Sequence, residues 1–500
     1  MTVKSAMNVY RKTLKKIKAY NYALGIIYYD MSTVAPEMSR ESRAKASEVL
    51  IGESYALETG KKFVEAVKFL VEHKNELSET ERREIELYSS MQLEYIASIP
   101  QDEYIANSLL LDESESVWAK AKEENNYSLF EPYLEKIFAN TKKFAHYYRS
   151  DISPYDVMLD RHEGGITSET LDRFFALLRE RIVPLVEKIS QKPQIDDSFV
   201  YRNYPIELQR KFSDELMKVL TLDRKRCTIG ETEHPFTTEF SKNDVRITTH
   251  YYEDNLFSSM YSVIHEGGHA LYELGGGDEY EGTALSGGVS MGIHESQSRF
   301  FENIIGRSRA FTSVAYKIAK EIFPEQLSDV SEEDFFLAAN KCQPSLIRTD
   351  ADEVTYSMHI MVRYEIEKGI FDGLYTTKDV PRVFAEKMKK YLGVDVPSDS
   401  EGALQDVHWA GGMIGYFPSY ALGSAYGAQF YSAICREIDV EKAVSEGNIK
   451  AVVDILTDKI YRHSSMYKPS QLIEMVCGEP FDPMYYIEYL ENKYKEIYNL

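Results

Sequence analysis

Residues 254–277 read DNLFSSMYSVIHEGGHALYELGGG, and this stretch indicates more about the fold and the chemistry than any other part of the chain. Its apolar residues recur at the spacing of one helix face, as at Leu256, Met260 and Ile264. An Asp-Asn pair can cap the beginning, and three consecutive glycines at 275–277 would end the helix. We therefore predict one helix of about 20 residues here.

The motif His265-Glu266-Gly267-Gly268-His269 lies inside this predicted helix. Residues four apart are separated by about 400° of rotation and about 6 Å of rise, so both imidazoles project from one face and can bind one ion. Glu266 follows the first histidine, where it can act as general base for a water whose pKa a zinc ion lowers to about 7. The H-E-x-x-H pattern thus predicts a zinc-dependent peptidase, with His265 and His269 as ligands and Glu266 as the base.

The two glycines of the motif are unusual inside a helix. Each costs the helix about 1 kcal/mol relative to alanine, so helix stability alone does not favour Gly267 or Gly268. Close approach of another backbone, or of a substrate, is one explanation for them.

A catalytic zinc needs a third protein ligand and an open position, so one more donor must come from outside the motif. Glu273 continues the same helix, but three ligands spread over about 12 Å of helix axis cannot all reach one ion. A carboxylate on the helix that we predict over 290–305 remains, and Glu295 is our choice, with His294 as an alternative. Glu302 shares the face of Glu295 but lies about 10 Å further along it, so only one of these two carboxylates can bind.

Composition bounds the architecture and the partners. The chain has 500 residues, 43% of them hydrophobic, and we find no linker, low-complexity tract or internal repeat. We predict a single catalytic unit over 1–500, built as two lobes. A net charge of −22 disfavours nucleic acid and anionic membranes as partners. That charge is typical of a soluble protein, and steering of cationic substrates is the alternative reading.

The cysteines and the amino terminus indicate the compartment. The four cysteines are scattered without a C-x-x-C pair, which argues against a disulfide framework or a thiolate metal site. The basic, amphipathic amino-terminal segment has no cleavage site of the kind that ends a signal peptide. No stretch approaches 18 uncharged apolar residues, so we predict no membrane span and a cytoplasmic protein.

Helix-period segments dominate the chain, which predicts a mainly α protein. The clearest β signal is at 227–229 and 237–252, where Thr, Val, Ile and Tyr cluster just before the metal helix and predict a small sheet that forms one wall of a groove. The predicted helices are 4–29, 38–58, 60–74, 79–97, 103–125, 129–149, 168–190, 205–220, 254–274, 290–305, 308–322, 332–341, 353–372, 380–391, 422–437, 448–459, 470–477 and 484–498.

Six sequence blocks occur in order between residues 234 and 420. They are His234-Pro235-Phe236; Asp244-Val245-Arg246-Ile247-Thr248; the His265 to His269 motif; His294-Glu295-Ser296-Gln297; Ile347-Arg348-Thr349-Asp350-Ala351-Asp352; and Gly402-Ala403-Leu404-Gln405-Asp406-Val407-His408-Trp409 with Gly415-Tyr416-Phe417-Pro418-Ser419-Tyr420. Together they closely resemble the thermostable carboxypeptidase 1 family, also called carboxypeptidase Taq, of metallocarboxypeptidases. The first 200 and last 70 residues carry no motif that we can match.

The resemblance implies a mainly helical, bilobal protein with a long central cleft, similar to zinc oligopeptidases and usually a homodimer. It implies an enzyme that releases residues one at a time from peptides with a free carboxyl terminus, with broad specificity. One Zn²⁺ per chain is the expected cofactor, with Co²⁺ as a possible substitute. The family pattern places the ligands at His265, His269 and Glu295 and the base at Glu266, in agreement with the spacing argument.

An exopeptidase acting at this end must also bind a terminal carboxylate, and the planar fork of arginine suits two oxygens. Arg348, in the block that the family uses for the substrate terminus, is our first candidate and Arg246 our second. A structural ion pair with Asp350 or Asp352 is the alternative role for Arg348. His408 and Tyr420 are candidate donors to the tetrahedral oxygen. Tyr416 and His234 complete the set of candidate substrate-binding residues.

Two other functions compete with this interpretation. A zinc oligopeptidase or dipeptidyl-type peptidase would share the metal site, and blocking the carboxyl terminus of the substrate as an amide distinguishes it. A non-catalytic, metal-stabilised binding protein would need a closed fourth ligand, and chelation would unfold it rather than only inactivate it.

Overall fold

The computed structural model describes the backbone of residues 1–500 and the side chains of all of them except Met91 and Gln92. The fold is mainly helical, as predicted. Among the described residues we find no helix with the length and apolar composition that a membrane crossing requires. The α-helices are α1 (Val3–Thr33), α2 (Arg40–Glu58), α3 (Lys61–Glu72), α4 (Glu79–Tyr88), α5 (Tyr95–Ser98), α6 (Gln101–Glu123), α7 (Tyr127–Tyr148), α8 (Pro154–His162), α9 (Ser168–Leu177), α10 (Val183–Ser190), α11 (Ile206–Val219), α12 (Leu256–Leu274), α13 (Met291–Arg299), α14 (Arg309–Ile322), α15 (Glu332–Ala339), α16 (Tyr356–Phe371), α17 (Val380–Leu392), α18 (Pro418–Ile434), α19 (Val440–Ser445), α20 (Ile449–Lys459), α21 (Pro469–Cys477) and α22 (Met484–Tyr498).

A small sheet precedes α12 and packs against it. Its three strands are β1 (Cys227–Glu231), β2 (Thr237–Ser241) and β3 (Asp244–Thr249), in the order β1-β3-β2. The central strand β3 pairs parallel with β1 and antiparallel with β2, so β2 is an edge strand beside the metal helix. The predicted sheet is therefore confirmed, although β3 ends at Thr249 rather than at Tyr252.

Among the described residues the core has one large cluster, a second of ten residues and two small ones of three residues each. The large hydrophobic cluster draws on side chains from Ala121 to Tyr498 and surrounds α12, α13, α16 and α18. The second cluster belongs to α1, α3 and α4, where Tyr10 packs against Phe63. Buried Glu84 joins this amino-terminal layer to the rest, since it accepts hydrogen bonds from Tyr10 Oη and from the backbone N–H of Ala284. The two-lobe division and the likeness to zinc oligopeptidases stay predictions.

The predicted helices are confirmed, and the differences from the prediction have two sources, short helices and π-helical turns. Helices α8 and α19 were not predicted because they are short, and α8 buries Val157, Met158 and Leu159 in succession rather than at helical spacing. The predicted segments 168–190 and 290–305 are helical except at Ser290, which caps α13, but each contains a π-helical turn, Leu178–Ile182 and Phe300–Ile305. Such turns leave no mark in hydrophobic periodicity and occur often at functional sites.

Helix α12 matches the prediction most closely. Asn255 caps its start by accepting a hydrogen bond from the Ser258 N–H at 3.1 Å, and the helix ends at Leu274 before the three glycines. A Cβ at Gly268 would lie 2.6 Å from the carbonyl oxygen of Gln297, and a Cβ at Gly267 would lie 2.8 Å from Leu220 Cδ1. Close approach of another backbone, that of α13, therefore explains Gly268, whereas the neighbours of Gly267 are the ends of leucine side chains.

Candidate metal centre and active site

Three potential metal ligands converge between α12 and α13. His265 and His269 lie one turn apart on α12, with ring centroids 5.0 Å apart and ring planes at 84°. Glu295 Oε2, on α13, lies 3.8 Å from His265 Nε2 and 3.5 Å from His269 Nε2. Donors bound tetrahedrally at about 2.1 Å from a zinc ion are about 3.4 Å from one another. These three atoms are thus spaced to bind a single divalent cation.

Helix α18 holds α13 against α12 from the other side. A Cβ at Gly423 of α18 would lie 2.5 Å from Glu295 Cγ, so no larger residue fits there while Glu295 keeps its position. With Gly268 on the opposite side, α13 is packed closely between two helices at the level of Glu295. Backbone packing therefore fixes how far the Glu295 carboxylate stands from the two imidazoles.

His265 is held directly by a carboxylate. Its Nδ1 lies 2.7 Å from Glu302 Oε2, which leaves Nε2 facing Glu295. Arg299 joins both acids, because its Nε donates to Glu295 Oε1 at 2.8 Å and its Nη1 to Glu302 Oε2 at 2.9 Å. Burial lowers the pKa of His265, but the charges of Glu295 and Glu302 outweigh burial and raise that pKa to about 9. Burial raises the pKa of Glu302, whereas Arg299 and His265 outweigh burial and bring it to about 2.

His269 is held through a second imidazole. Its Nδ1 lies 2.6 Å from His294 Nδ1, and His294 Nε2 lies 2.6 Å from Glu273 Oε1. Burial lowers the pKa of His269, and the hydrogen bond with Glu295 opposes that effect only in part. Both nitrogens of His294 are engaged in this chain, so the structure favours Glu295 over His294 as third ligand. Glu273 meets His294 and is not part of the group formed by His265, His269 and Glu295.

Glu266 lies at the edge of an open cavity of about 760 Å³. Thr237, on edge strand β2, donates its hydroxyl to Glu266 Oε2 at 2.6 Å. This bond orients the carboxylate and leaves Oε1 free of that partner. The cavity is also lined by His265, Arg299 and Asp350, so a ligand there meets the candidate base and one candidate metal ligand together.

Arg348 lies in a buried cluster next to the metal centre. Its Nε and Nη2 donate to Asp406 Oδ1 at 3.0 and 2.8 Å, and its Nη1 donates to Tyr356 Oη at 3.1 Å. Arg363 donates to the other oxygen of Asp406 at 2.7 Å. Arg348 therefore has a structural partner, but that partner is Asp406. Two guanidinium groups share this one carboxylate, which leaves the cluster with an excess of positive charge.

The segment between α17 and α18 that carries Asp406 is held by α16. Glu367, one turn after Arg363, accepts hydrogen bonds from Trp409 Nε1 at 2.7 Å and from the Gly415 N–H at 3.0 Å. Tyr155 Oη also donates to Glu367, at 2.9 Å. Burial raises the pKa of Glu367 to about 7. Helix α16 thus binds Asp406 with its Arg363, and it binds the residues that follow Asp406 with its Glu367.

The structure brings His408, Tyr416 and Tyr420 together beside Arg348. His408 Nε2 lies 3.3 Å from Tyr420 Oη, and the rings of Tyr416 and Tyr420 meet edge to face at 5.1 Å. The guanidinium of Arg348 lies 5.2 Å from the Tyr420 ring centre. Burial lowers the pKa of His408 to about 4 and raises that of Tyr420 far above its usual range. At neutral pH both groups are therefore neutral, and the tyrosine hydroxyl keeps its proton.

The other two sequence candidates lie elsewhere. His234 is exposed in the connection between β1 and β2. Arg246, on β3, forms a bidentate pair with Asp244 at 2.8 Å and stacks over Phe240 and Tyr29. Its guanidinium is thus engaged on the α1 side of the sheet, and neither residue joins the cluster around Arg348.

Sequence reasoning missed Arg299 and Arg363, and it missed the supporting role of Glu302. A signal for part of this existed, since Glu295, Arg299 and Glu302 recur at intervals of four and three on one helix. The pairing of Arg363 with Asp406 joins residues 43 positions apart and had no local signal.

The comparisons with known proteins agree with this geometry. The family model described as Carboxypeptidase Taq (M32) metallopeptidase matches residues 9–494. Carboxypeptidase 1 of Bacillus subtilis is 39% identical over 97% of each chain, and thermostable carboxypeptidase 1 of Thermus thermophilus is 40% identical over 77% of this chain and 78% of its own. The crystal structure of an M32 carboxypeptidase from Deinococcus radiodurans superposes with a TM-score of 0.95 at 32% identity, covering 99% of this chain and 100% of the other. This chain belongs to the carboxypeptidase Taq (M32) family of metallopeptidases.

Proposed function

We propose that this protein is a metal-dependent carboxypeptidase that releases amino acids one at a time from the free carboxyl terminus of peptides. The observation that carries the proposal is the convergence of His265, His269 and Glu295 on one point, with Glu266 beside them at an open cavity. Family membership supports peptide hydrolysis as the reaction. We propose Zn²⁺ as the cation, with Co²⁺ as a substitute, and a cytoplasmic homodimer as the working form.

The donor set suits a borderline cation, because two imidazoles and one carboxylate are the ligands of many catalytic zinc sites. A divalent cation bound there would supply Lewis-acid chemistry, which polarises a peptide carbonyl and makes an attacking water more acidic. Glu266 Oε1, which Thr237 does not occupy, is the oxygen positioned to accept the proton of that water. Glu266 then passes the proton to the nitrogen of the leaving amino acid, which completes hydrolysis with the carboxylate regenerated.

Recognition of the substrate terminus is assigned to Arg348. The excess positive charge that Arg348, Arg363 and Asp406 share favours an anion, and the terminal carboxylate of a peptide is one. Tyr420, protonated and next to Arg348, can donate its hydroxyl to the oxygen on which charge develops. His408 Nε2 lies within 3.3 Å of the Tyr420 hydroxyl and can orient it.

A peptide-ladder experiment tests the proposal. The protein is incubated with a peptide of defined sequence, with its carboxyl-terminal amide, and with an amino-acetylated form, each with and without a chelator. We expect stepwise loss of single residues from the free and acetylated peptides by mass spectrometry, and none from the amide or after chelation. Internal cleavage, or unchanged cleavage of the amide, would contradict the proposal.

A further inference from the structure

The two histidine ligands on α12 differ in what lies behind them. His265 Nδ1 meets the carboxylate of Glu302 directly, whereas His269 Nδ1 meets the imidazole of His294, whose far nitrogen meets Glu273. An acidic group at Nδ1 is the usual way in which proteins orient a metal-binding histidine. The second arrangement inserts one ring between the ligand and its acid.

The hydrogen bonds that link His269, His294 and Glu273 can run in only one direction if His269 is to bind a metal ion through Nε2. Ionised Glu273 can only accept, so His294 must donate to it from Nε2, which leaves His294 Nδ1 as an acceptor. His269 must then donate from Nδ1, which leaves the lone pair of its Nε2 facing Glu295 and His265. The acid at one end thus selects the ring nitrogen that is available to the cation at the other end.

The surroundings of His294 are built to hold its ring in place. The Tyr272 ring lies 5.1 Å from it, and a Cβ at Gly288 would lie 2.6 Å from His294 Cδ2. The Gly288 N–H also approaches Glu273 Oε1, at 3.4 Å. His294 and Glu273 are both largely buried, with side-chain exposures of 19% and 11%, so water competes little for their hydrogen bonds.

We propose that His294 and Glu273 are positioning residues for the metal, which hold His269 in the orientation and tautomer that present Nε2 to the cation. This inference rests on the metal site of the proposed function and extends it beyond the three ligands. Neither residue belongs to the three ligand atoms that are spaced to bind the cation. Their loss should therefore weaken metal binding before it affects the chemistry.

A matched pair of substitutions at 294 separates hydrogen bonding from packing. Asparagine and leucine have nearly the same shape, but only asparagine places an acceptor oxygen where His294 Nδ1 stands. We expect zinc affinity, measured by competition with a fluorescent chelator, to fall about 10- to 100-fold in His294→Leu and less than about threefold in His294→Asn. The absorption bands of the Co²⁺-loaded protein should shift in His294→Leu alone. Equal losses in the two variants, or none in either, would overturn the proposal.

Two further variants keep the test decisive if His294→Leu folds poorly. Glu273→Gln keeps an acceptor but removes its charge, and its zinc affinity should fall about tenfold. Glu491→Gln is the matched control, because Glu491 is about as buried as Glu273 and accepts from Arg181 and Lys495, which belong to neither α12 nor α13, and its affinity should stay within about threefold of the wild type. A Glu273→Gln affinity equal to that of this control would overturn the proposal. Wild-type protein that binds zinc but leaves the peptide ladder intact would contradict the proposed function and not this inference.

Discussion

The metal centre and the Arg348 cluster are neighbours with opposite electrostatic character. Around the three candidate ligands, the acids Glu266, Glu295 and Glu302 outnumber the two arginines beside them, Arg299 and Arg307. Around Arg348, two arginines share Asp406. Tyr356 touches both regions, since Arg299 lies 4.2 Å above its ring and Arg348 donates to its hydroxyl. One region is thus suited to a cation and the other to an anion, within reach of one short peptide end.

The largest effect is expected in the metal centre. Glu266→Gln keeps the size of the side chain and the bond from Thr237 but cannot accept a proton, so kcat should fall about 10²- to 10⁴-fold. Metal content, measured by atomic emission, should be unchanged because Glu266 is not among the ligands. Turnover above one tenth of the wild-type rate would remove Glu266 from the role of base.

A selective effect is expected in the Arg348 cluster. Arg348→Ala leaves Asp406 paired with Arg363, so the fold should persist while kcat/KM for peptides with free carboxyl termini falls about 100-fold. Arg348→Lys keeps the charge but lacks the planar fork, so its kcat/KM should lie between those of the wild type and Arg348→Ala. Zinc affinity should not change in either variant. Equal kinetics for wild type and Arg348→Ala would show that another cation binds the substrate terminus.

A smaller effect is expected from backbone packing behind the metal. Gly423→Ala places a Cβ against Glu295 Cγ, which should displace the carboxylate, weaken zinc binding about tenfold and cost about 1 to 3 kcal/mol of unfolding free energy. Gly52→Ala, on α2 with open space around it, is the control and should not destabilise the protein. Urea unfolding and chelator competition measure the two quantities. Unchanged zinc affinity in Gly423→Ala would show that Glu295 is not held by α18.

The last effect concerns the pH dependence of stability, and it compares one buried carboxyl group near each region. Burial raises the pKa of Glu163, behind the metal centre, and of Glu367, behind the Arg348 cluster, to about 7 each. Because folding raises these pKa values above the ordinary 4.5, the folded state binds more protons, and stability should fall as pH rises from about 4.5 to 7. The effect of each group is on the order of 1 to 3 kcal/mol.

Glutamine variants test this pH dependence by urea unfolding with excess zinc. Glu163→Gln and Glu367→Gln should each become more stable relative to the wild type as pH rises through this window. At the low-pH end of this window Glu367→Gln should have the lower free energy of unfolding of the two variants, relative to the wild type. The reason is that Glu367 accepts from three donors and an amide cannot accept from all of them. A constant difference across the pH range would contradict the assigned pKa shifts.

The two regions also differ in how far the sequence predicted them. In the metal centre, His265, His269 and Glu266 are positions on one helix, and the 3.6-residue period carries most of the geometry. The third ligand needed the family resemblance, because spacing alone left His294 open. Glu302 lies in the π-helical turn Phe300–Ile305 and contacts His265, although we expected it only as a rival of Glu295.

The Arg348 cluster was predicted in part and for other reasons. Arg348, His408, Tyr416 and Tyr420 were named, and they do lie together. Their partners were not found, because Asp406 meets Arg348 across 58 positions and is held by a helix whose residues carry no motif. Arg246 and His234 were chosen from blocks of the family pattern, but block membership does not say which face of a strand or loop a side chain occupies.

The close packing of α13 between Gly268 and Gly423 has a consequence for how the site tolerates mutation. A larger residue at either glycine would push α13 toward the other glycine, where there is also no room for a Cβ. A compensating change therefore cannot be made at the opposite glycine, and damage from the two positions should add or reinforce rather than cancel. The three helices cannot move closer together, because glycine is already the smallest residue at both contacts. The metal site can therefore change only through the identity of its ligand side chains.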